Sequence, residues 1–255
     1  MKTVSLIIPA GGGGATIKRL IRSTYLIEGV ELKYIVIVEQ GGYSATDWLR
    51  KLEETNKNIY VIFNPNNIPP PVPYNDGLEL LNSIVDKTDF IHFLDDDMEI
   101  LDGSYLSKMI EFYDKNDLGI MSSEHCYFGP RPIPDSGEVP DFGMGAFLFR
   151  KEIFEKLGYL DERYKFHCAD SDYVRRVKQL LKKKIAILPG SQPMLKHFHQ
   201  LGTRKKFEGR HQPVIDNDWV IYDKKWKEEV KLEFQEREVM NRSEFWSEKC
   251  KQKAM

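Results

Sequence analysis

Cysteine is scarce in this chain. Cys126, Cys168 and Cys250 are too few and too scattered for a disulfide scaffold or a zinc-knuckle spacing. Reduced thiols in a cytoplasmic protein are the expectation. Long apolar runs are also missing, and nothing approaches the roughly 18 to 20 residues that a membrane-spanning helix needs. Residues 1–9 hold a short apolar run closed by Pro9, which reads as a buried strand and not as a secretory signal. Charge of one sign is lacking too. Lys and Arg number 37 against 39 Asp and Glu, and a formal net charge of −2 argues against a coat for duplex nucleic acid. One local basic stretch remains at 182–206, with Lys182, Lys183, Lys184, Lys196, Arg204, Lys205 and Lys206. Internal repeats and low-complexity segments are absent.

What the chain does contain is 255 residues, 41% of them hydrophobic, enough for one large α/β core. Short apolar runs alternate with amphipathic stretches through the first half. Strands are predicted at 4–8, 34–38, 59–63 and 90–94, with helices at 16–26, 46–54 and 76–85. That alternation predicts a mostly parallel central sheet with helices on both faces. Ligands of such sheets sit beyond the carboxyl ends of the strands. Farther on, strands are expected at 118–122, 142–150 and 185–188, helices at 152–157 and 171–182, and a proline-rich loop at 130–140. The domain is drawn at 1–215. The charged, aromatic remainder, 216–255, is read as a helical extension that packs back on the domain or forms a homodimer contact.

The fourth strand ends in Asp95, Asp96 and Asp97. Three adjacent carboxylates repel one another, and a helix cap needs only one. A hard divalent cation calls for clustered carboxylate oxygens, and a metal that also holds phosphate needs only one or two of them. Side-chain alternation points Asp95 and Asp97 one way and Asp96 the other. Asp97 is therefore the expected direct ligand, Asp95 a further metal ligand that also lies nearer a sugar or ribose, and Asp96 is expected to contact the donor.

On these residues the chain resembles glycosyltransferase family 2, enzymes of the GT-A fold with an Asp-x-Asp motif closing a mid-sheet strand. The resemblance implies a nucleotide diphosphate sugar donor and Mn²⁺ or Mg²⁺ bridging its phosphates as a Lewis acid. Two more segments carry it. Residues 142–150, then Gly158, Tyr159, Leu160 and Asp161, then Asp170, Ser171 and Asp172 with Arg175 and Arg176, follow the family's order. The resemblance makes Asp170 the general base on the acceptor hydroxyl, although Ala169 replaces the family's preceding glutamate. Asp170 is also placed to cap the helix after it, and the two tasks are compatible. The third segment holds His197, His199 and Gly202, then Arg204. Here the resemblance gives the histidines to the metal or the diphosphate, and the cations to the diphosphate.

Other positions match less well. Pro9, Ala10 and Gly11, expected to contact the donor, close the first strand where the family has a Tyr-Asn turn. Glu39 stands where the family's aspartate bonds uracil, which favours a UDP-sugar. Asn75, before Asp76 and Gly77, is expected near the donor. The glycine run 11–14 suggests a rival, a sugar-phosphate nucleotidyltransferase that holds phosphates on backbone N–H groups. Ala169 suggests another, a partner-binding protein with a decayed site. The acceptor is left open among a glycan, a small molecule and a modified nucleic acid. Inverting transfer is the expected course.

Overall fold

The computed structural model describes residues 1–11, 13–40, 45–64, 69–84, 88–198 and 212–229. The first half alternates as the sequence predicts. β1 (Thr3–Ala10), α1 (Gly14–Thr24), β2 (Glu31–Gln40), α2 (Thr46–Thr55), β3 (Ile59–Asn64), α3 (Pro71–Ser83) and β4 (Phe90–Phe93) follow in order. Next come β5 (Met98–Ile100), α4 (Tyr105–Lys115), β6 (Leu118–Ser123), β7 (Leu148–Arg150), α5 (Lys151–Leu157), α6 (Ala169–Leu180), β8 (Lys184–Leu188) and β9 (Leu195–His197). α7 (Gln212–Lys224) runs into a π-helical turn, Lys225–Glu229.

Seven strands form one sheet in the order β3-β2-β1-β4-β7-β6-β8, and β5 pairs with β9 in a separate two-stranded ribbon. β1, β2, β3 and β4 are parallel, as are β6 and β8, while β7 runs against both its neighbours. Strand residues alternate between two cores. Leu6 and Ile8 pack with Ile17, Leu20, Tyr105 and Met109 of α1 and α4 on one face. Ile7, Val36 and Phe93 pack with Tyr74, Leu78, Phe154 and Tyr173 of α3, α5 and α6 on the other. A sheet covered on both faces explains why its strands read as continuous apolar runs.

Five elements depart from the sequence reading. α3 begins at Pro71, not near 76, so Asn75 and Asp76 lie inside a helix and not at its entrance. Pro71 and Pro73 fall in its first turn, where N–H groups have no intrahelical partner, so the prolines cost little there. The strand expected over 142–150 shortens to Leu148–Arg150, preceded by a 3₁₀ turn at Met144–Ala146. α4 and the β5–β9 ribbon had no counterpart in the sequence reading.

Residues 212–229 lie against the sheet domain. Asp218, fully buried, accepts the backbone N–H groups of Lys165 (3.0 Å), Phe166 (2.8 Å) and His167 (2.7 Å). Lys225 reaches both Asp161 (2.8 Å) and Asp172 (2.9 Å), and the Trp226 indole donates to Asp172 at 3.0 Å. Burial pushes the Asp161 carboxyl upward, but Arg163 and Lys225 outweigh it and hold the group well below the usual carboxylate range. Arg176, expected near the acidic block, is itself buried and spent on Asp172 and on the carbonyls of Leu157 and Tyr159. In the basic stretch, Lys183 pairs with Asp117, Lys184 with Glu138, and Lys196 lies over the Phe198 ring.

Candidate active site

The carboxyl ends of β1, β2 and β4 lie side by side, with Ala10 opposite Glu39 and Ile7 opposite Phe93. Pro9, Ala10 and Gly11 close β1 at this edge. Glu39 is buried at the end of β2 and accepts the Thr46 hydroxyl at 3.3 Å.

Beyond β4 the three aspartates part company. Asp96 turns to the β1 end, where its Oδ2 accepts the Gly11 N–H at 3.0 Å. That gives it a structural task, tying the glycine-rich turn to the sheet. Asp95 turns the other way and accepts the Tyr74 hydroxyl of α3 at 2.5 Å. Burial, then the charge of Asp97, pushes the Asp95 carboxyl up to about 6. Asp97 faces His197, with Nε2 and Oδ1 3.2 Å apart. The β5–β9 ribbon creates that contact by pairing Met98 with His197, and the Phe198 N–H donates to the Asp97 carbonyl at 2.8 Å.

The turn at 143–146 forms the other wall. The Asp95 N–H donates to the Gly145 carbonyl at 3.0 Å. A Cβ on Gly145 would lie 2.8 Å from Asp95 Oδ2, and one on Gly143 would lie 3.7 Å from Asp170 Oδ2. Side chains are thus excluded where the chain passes Asp95, and the same turn spans the space between Asp95 and Asp170. The two aspartates feel each other's charge. Asp170 sits in the first turn of α6, half-buried, and accepts the Ser171 N–H at 2.9 Å. Burial raises its pKa above the usual carboxylate value, against the pull of that N–H. The capping residue is Cys168 in a left-handed conformation, and no side chain caps the helix.

The structure therefore gathers Asp95, Asp97, Asp170 and His197 at one edge of the sheet. His199 and Arg204 lie outside the described residues. Asn75 belongs elsewhere. Its amide donates to the Leu160 carbonyl (2.8 Å) and Glu162 (2.9 Å) and accepts the Leu160 N–H (2.9 Å), so it braces the 160–162 turn instead of facing a donor. The sequence reading missed Tyr74, which sits one residue before it, and His125, whose ring is 6.3 Å from that of His197. No local signal marks either. Only the helix starting at Pro71 and the turn after β6 bring them in.

Among the described residues no three His, Cys, Asp or Glu side chains form a closed metal-binding group. The donors present still fit a divalent cation of the Mn²⁺ or Mg²⁺ type. One carboxylate and one imidazole at contact distance suit such an ion when phosphate oxygens and water complete its shell.

The α/β sheet with one reversed strand is an architecture that solved glycosyltransferases share. Mannosyltransferase PcManGT from Pyrobaculum calidifontis, in complex with GDP-Man and Mn²⁺, superposes with a TM-score of 0.57 at 15% identity, over 73% of this chain and 55% of that one. S. aureus TarS superposes at 0.60 with 15% identity, over 91% of this chain and 41% of that one. TarS 1-349 in complex with UDP-GlcNAc gives 0.61 and 14%, over 99% and 72%. The chain thus spans only about half of the first two. No protein-family model matches the sequence, and no curated protein matches it. The likeness is one of fold.

Proposed function

We propose that this chain is a metal-dependent glycosyltransferase that moves a sugar from a nucleotide diphosphate donor, a UDP-sugar in the first instance, to an acceptor hydroxyl with inversion. One observation carries the reading: Asp170 and His197, far in sequence from Asp95 and Asp97, meet them around the turn 143–146, whose Gly145 passes Asp95 without a side chain. Solved structures of this fold bind GDP-Man with Mn²⁺, UDP and UDP-GlcNAc, which supports the donor class.

In this reading Asp97 and His197 hold the cation, and bound there it supplies positive charge to a departing diphosphate. Tyr74 and the 143–146 turn fix Asp95 at the sugar. Asp170 takes the proton as the acceptor oxygen bonds to the anomeric carbon, and the bond to the diphosphate breaks with its electron pair leaving on the phosphate. A carboxyl whose pKa is raised is a stronger base for that task. The nucleotidyltransferase reading gives Asp170 and His197 nothing to do.

The test is direct. UDP-sugars with Mn²⁺ should be hydrolysed slowly even without an acceptor, and Asp170→Asn should keep UDP affinity while losing turnover by about 10²-fold or more. An unchanged turnover in that variant places the base elsewhere. A protein that binds neither UDP nor GDP, with or without Mn²⁺, is not a glycosyltransferase.

A further inference from the structure

We propose that the acceptor is a neutral saccharide, and that the apolar face of its pyranose ring stacks on Phe128. The inference rests on the glycosyltransferase reading of the same cleft and names what occupies its open side. Phe128 is 76% exposed, although the residues around it are held. Tyr127 is buried, and the Gly143 N–H donates to the Cys126 carbonyl at 2.7 Å. Arg131 binds Glu124 through Oε2 at 3.1 Å and through the carbonyl at 3.0 Å. An anchored turn thus presents the ring to solvent instead of leaving it on a loose loop.

Its place gives that exposure a use. From the Cβ position on Gly143, the Phe128 ring is 3.2 Å away and Asp170 Oδ2 is 3.7 Å away. Both groups thus border one space, where a molecule that delivers a hydroxyl to Asp170 can lie against that ring. A second aromatic edge is available on α7, where Trp219, 43% exposed, stands with its ring centroid 5.5 Å from that of His167. His167 in turn is close enough for its charge to act on Asp170.

Chemistry selects the occupant. A pyranose has a flat face of C–H bonds that matches an aromatic ring, and its rim hydroxyls remain free for a base. A linear polyol has no such face. An anionic acceptor would meet Asp95, Asp141 and Asp170 together, with the Ser171 hydroxyl already donated to Asp141 at 2.7 Å. Among the described residues two cations, Arg175 and Lys178, line the groove beyond, and each is held in place by an uncharged partner. Arg175 lies 4.4 Å from the Trp226 ring centroid, and Lys178 donates to the Pro140 carbonyl at 3.1 Å. A groove of about 280 Å³ runs on from Asp141 and Ser171 to Tyr222, space for a further sugar unit.

The experiment uses the whole chain loaded with UDP and Mg²⁺. Ligand-observed saturation-transfer NMR compares methyl α- and β-pyranosides of glucose, galactose and mannose with glycerol and ribitol. At least one pyranoside should bind through its ring C–H protons. Phe128→Ala should weaken that binding about tenfold, and Phe128→Tyr should keep it within about twofold. The proposal is overturned if no pyranoside binds, if the polyols bind as well, or if Phe128→Ala binds pyranosides unchanged. UDP affinity in the same samples separates the two levels. Binding of neither UDP nor GDP removes the glycosyltransferase reading and this inference together, whereas normal nucleotide binding with any of those results removes the saccharide inference alone.

Discussion

Replacing Asp218 with Asn should loosen the C-terminal segment and the approach to Asp170 without unfolding the sheet. The carboxylate takes three consecutive N–H groups, 165 to 167, at 2.7 to 3.1 Å, and no part of the residue reaches solvent. An amide of the same shape offers one acceptor oxygen and turns an NH₂ toward the remaining donors. Hydrogen bonds to a charged group contribute about 1.5 to 3 kcal/mol each, and leaving one end of a buried set unsatisfied costs about 3 to 5 kcal/mol. The loss is local because Lys225 and Trp226 still bind Asp161 and Asp172. Segment 165–167 should therefore open about 10²- to 10³-fold more often, at about 1.4 kcal/mol per decade. Amide hydrogen exchange by mass spectrometry reads this peptide by peptide. Faster exchange is expected at 163–168 and across α7, with β1 and β2 unchanged. Turnover should fall while UDP binding stays, because the affected turn leads through Cys168, at φ 65°, into the first turn of α6. Protection at 165–167 equal to the wild type would refute the reasoning.

Three other perturbations test separate parts of the site. Asp97→Asn should weaken Mn²⁺-dependent UDP binding by about tenfold or more, measured by calorimetry, and EDTA should have no further effect on the variant. Gly145→Ala inserts a Cβ 2.8 Å from Asp95 Oδ2, which Tyr74 holds in place, so the turn or the aspartate must shift. Overpacking of this kind costs about 1 to 3 kcal/mol, and a misplaced site residue about 10²-fold in rate; normal kinetics with normal stability would contradict the packing. His92 is fully buried, and burial lowers its pKa from 6.5 to about 4 against the pull of the Phe147 carbonyl. The depressed value means the unfolded chain binds the proton first, so its contribution to stability is intact above about pH 6.5 and is lost as the pH falls through about 4. The loss is on the order of 3 kcal/mol. Asp95, shifted upward to about 6, works in the opposite direction over part of that range. The observable is therefore the difference in urea midpoint between wild type and His92→Gln, which should shrink on acidification.

The aspartate triplet was legible because a buried strand imposes alternation, and Asp95 and Asp96 do leave β4 toward different elements. The fate of Asp96 was not legible. Whether a carboxylate faces a ligand or the protein's own N–H depends on where the next strand's loop ends, and the Gly11 amide lies 85 residues away along the chain. Asn75 failed for a related reason. An Asn-Asp-Gly run reads as the opening of a helix, but the two prolines before it are tolerated in a first helical turn, so α3 starts early and carries Asn75 into the core. The glycines at 143 and 145 read as parts of a strand. Gly145 serves a close passage by Asp95, which shows only when the turn and the aspartate are seen together.

His197 shows what local patterns can and cannot give. Its pairing with Asp97 depends on a ribbon of three residues on each side, too short to stand out from the sequence. Yet the ribbon's register fixes the chemistry. Shifting it by one residue would bring Lys196 opposite Met98 and put an ammonium group beside Asp97 in place of an imidazole. An ammonium has no lone pair to offer a metal ion, so that single step in register would exchange the pair proposed to hold the cation for an ordinary salt bridge. In the proposed reading the metal site would thus depend on the β5–β9 pairing as much as on the aspartates, and substitutions in Leu195 or Ile100, both fully buried within it, should weaken Mn²⁺-dependent UDP binding without touching a ligand.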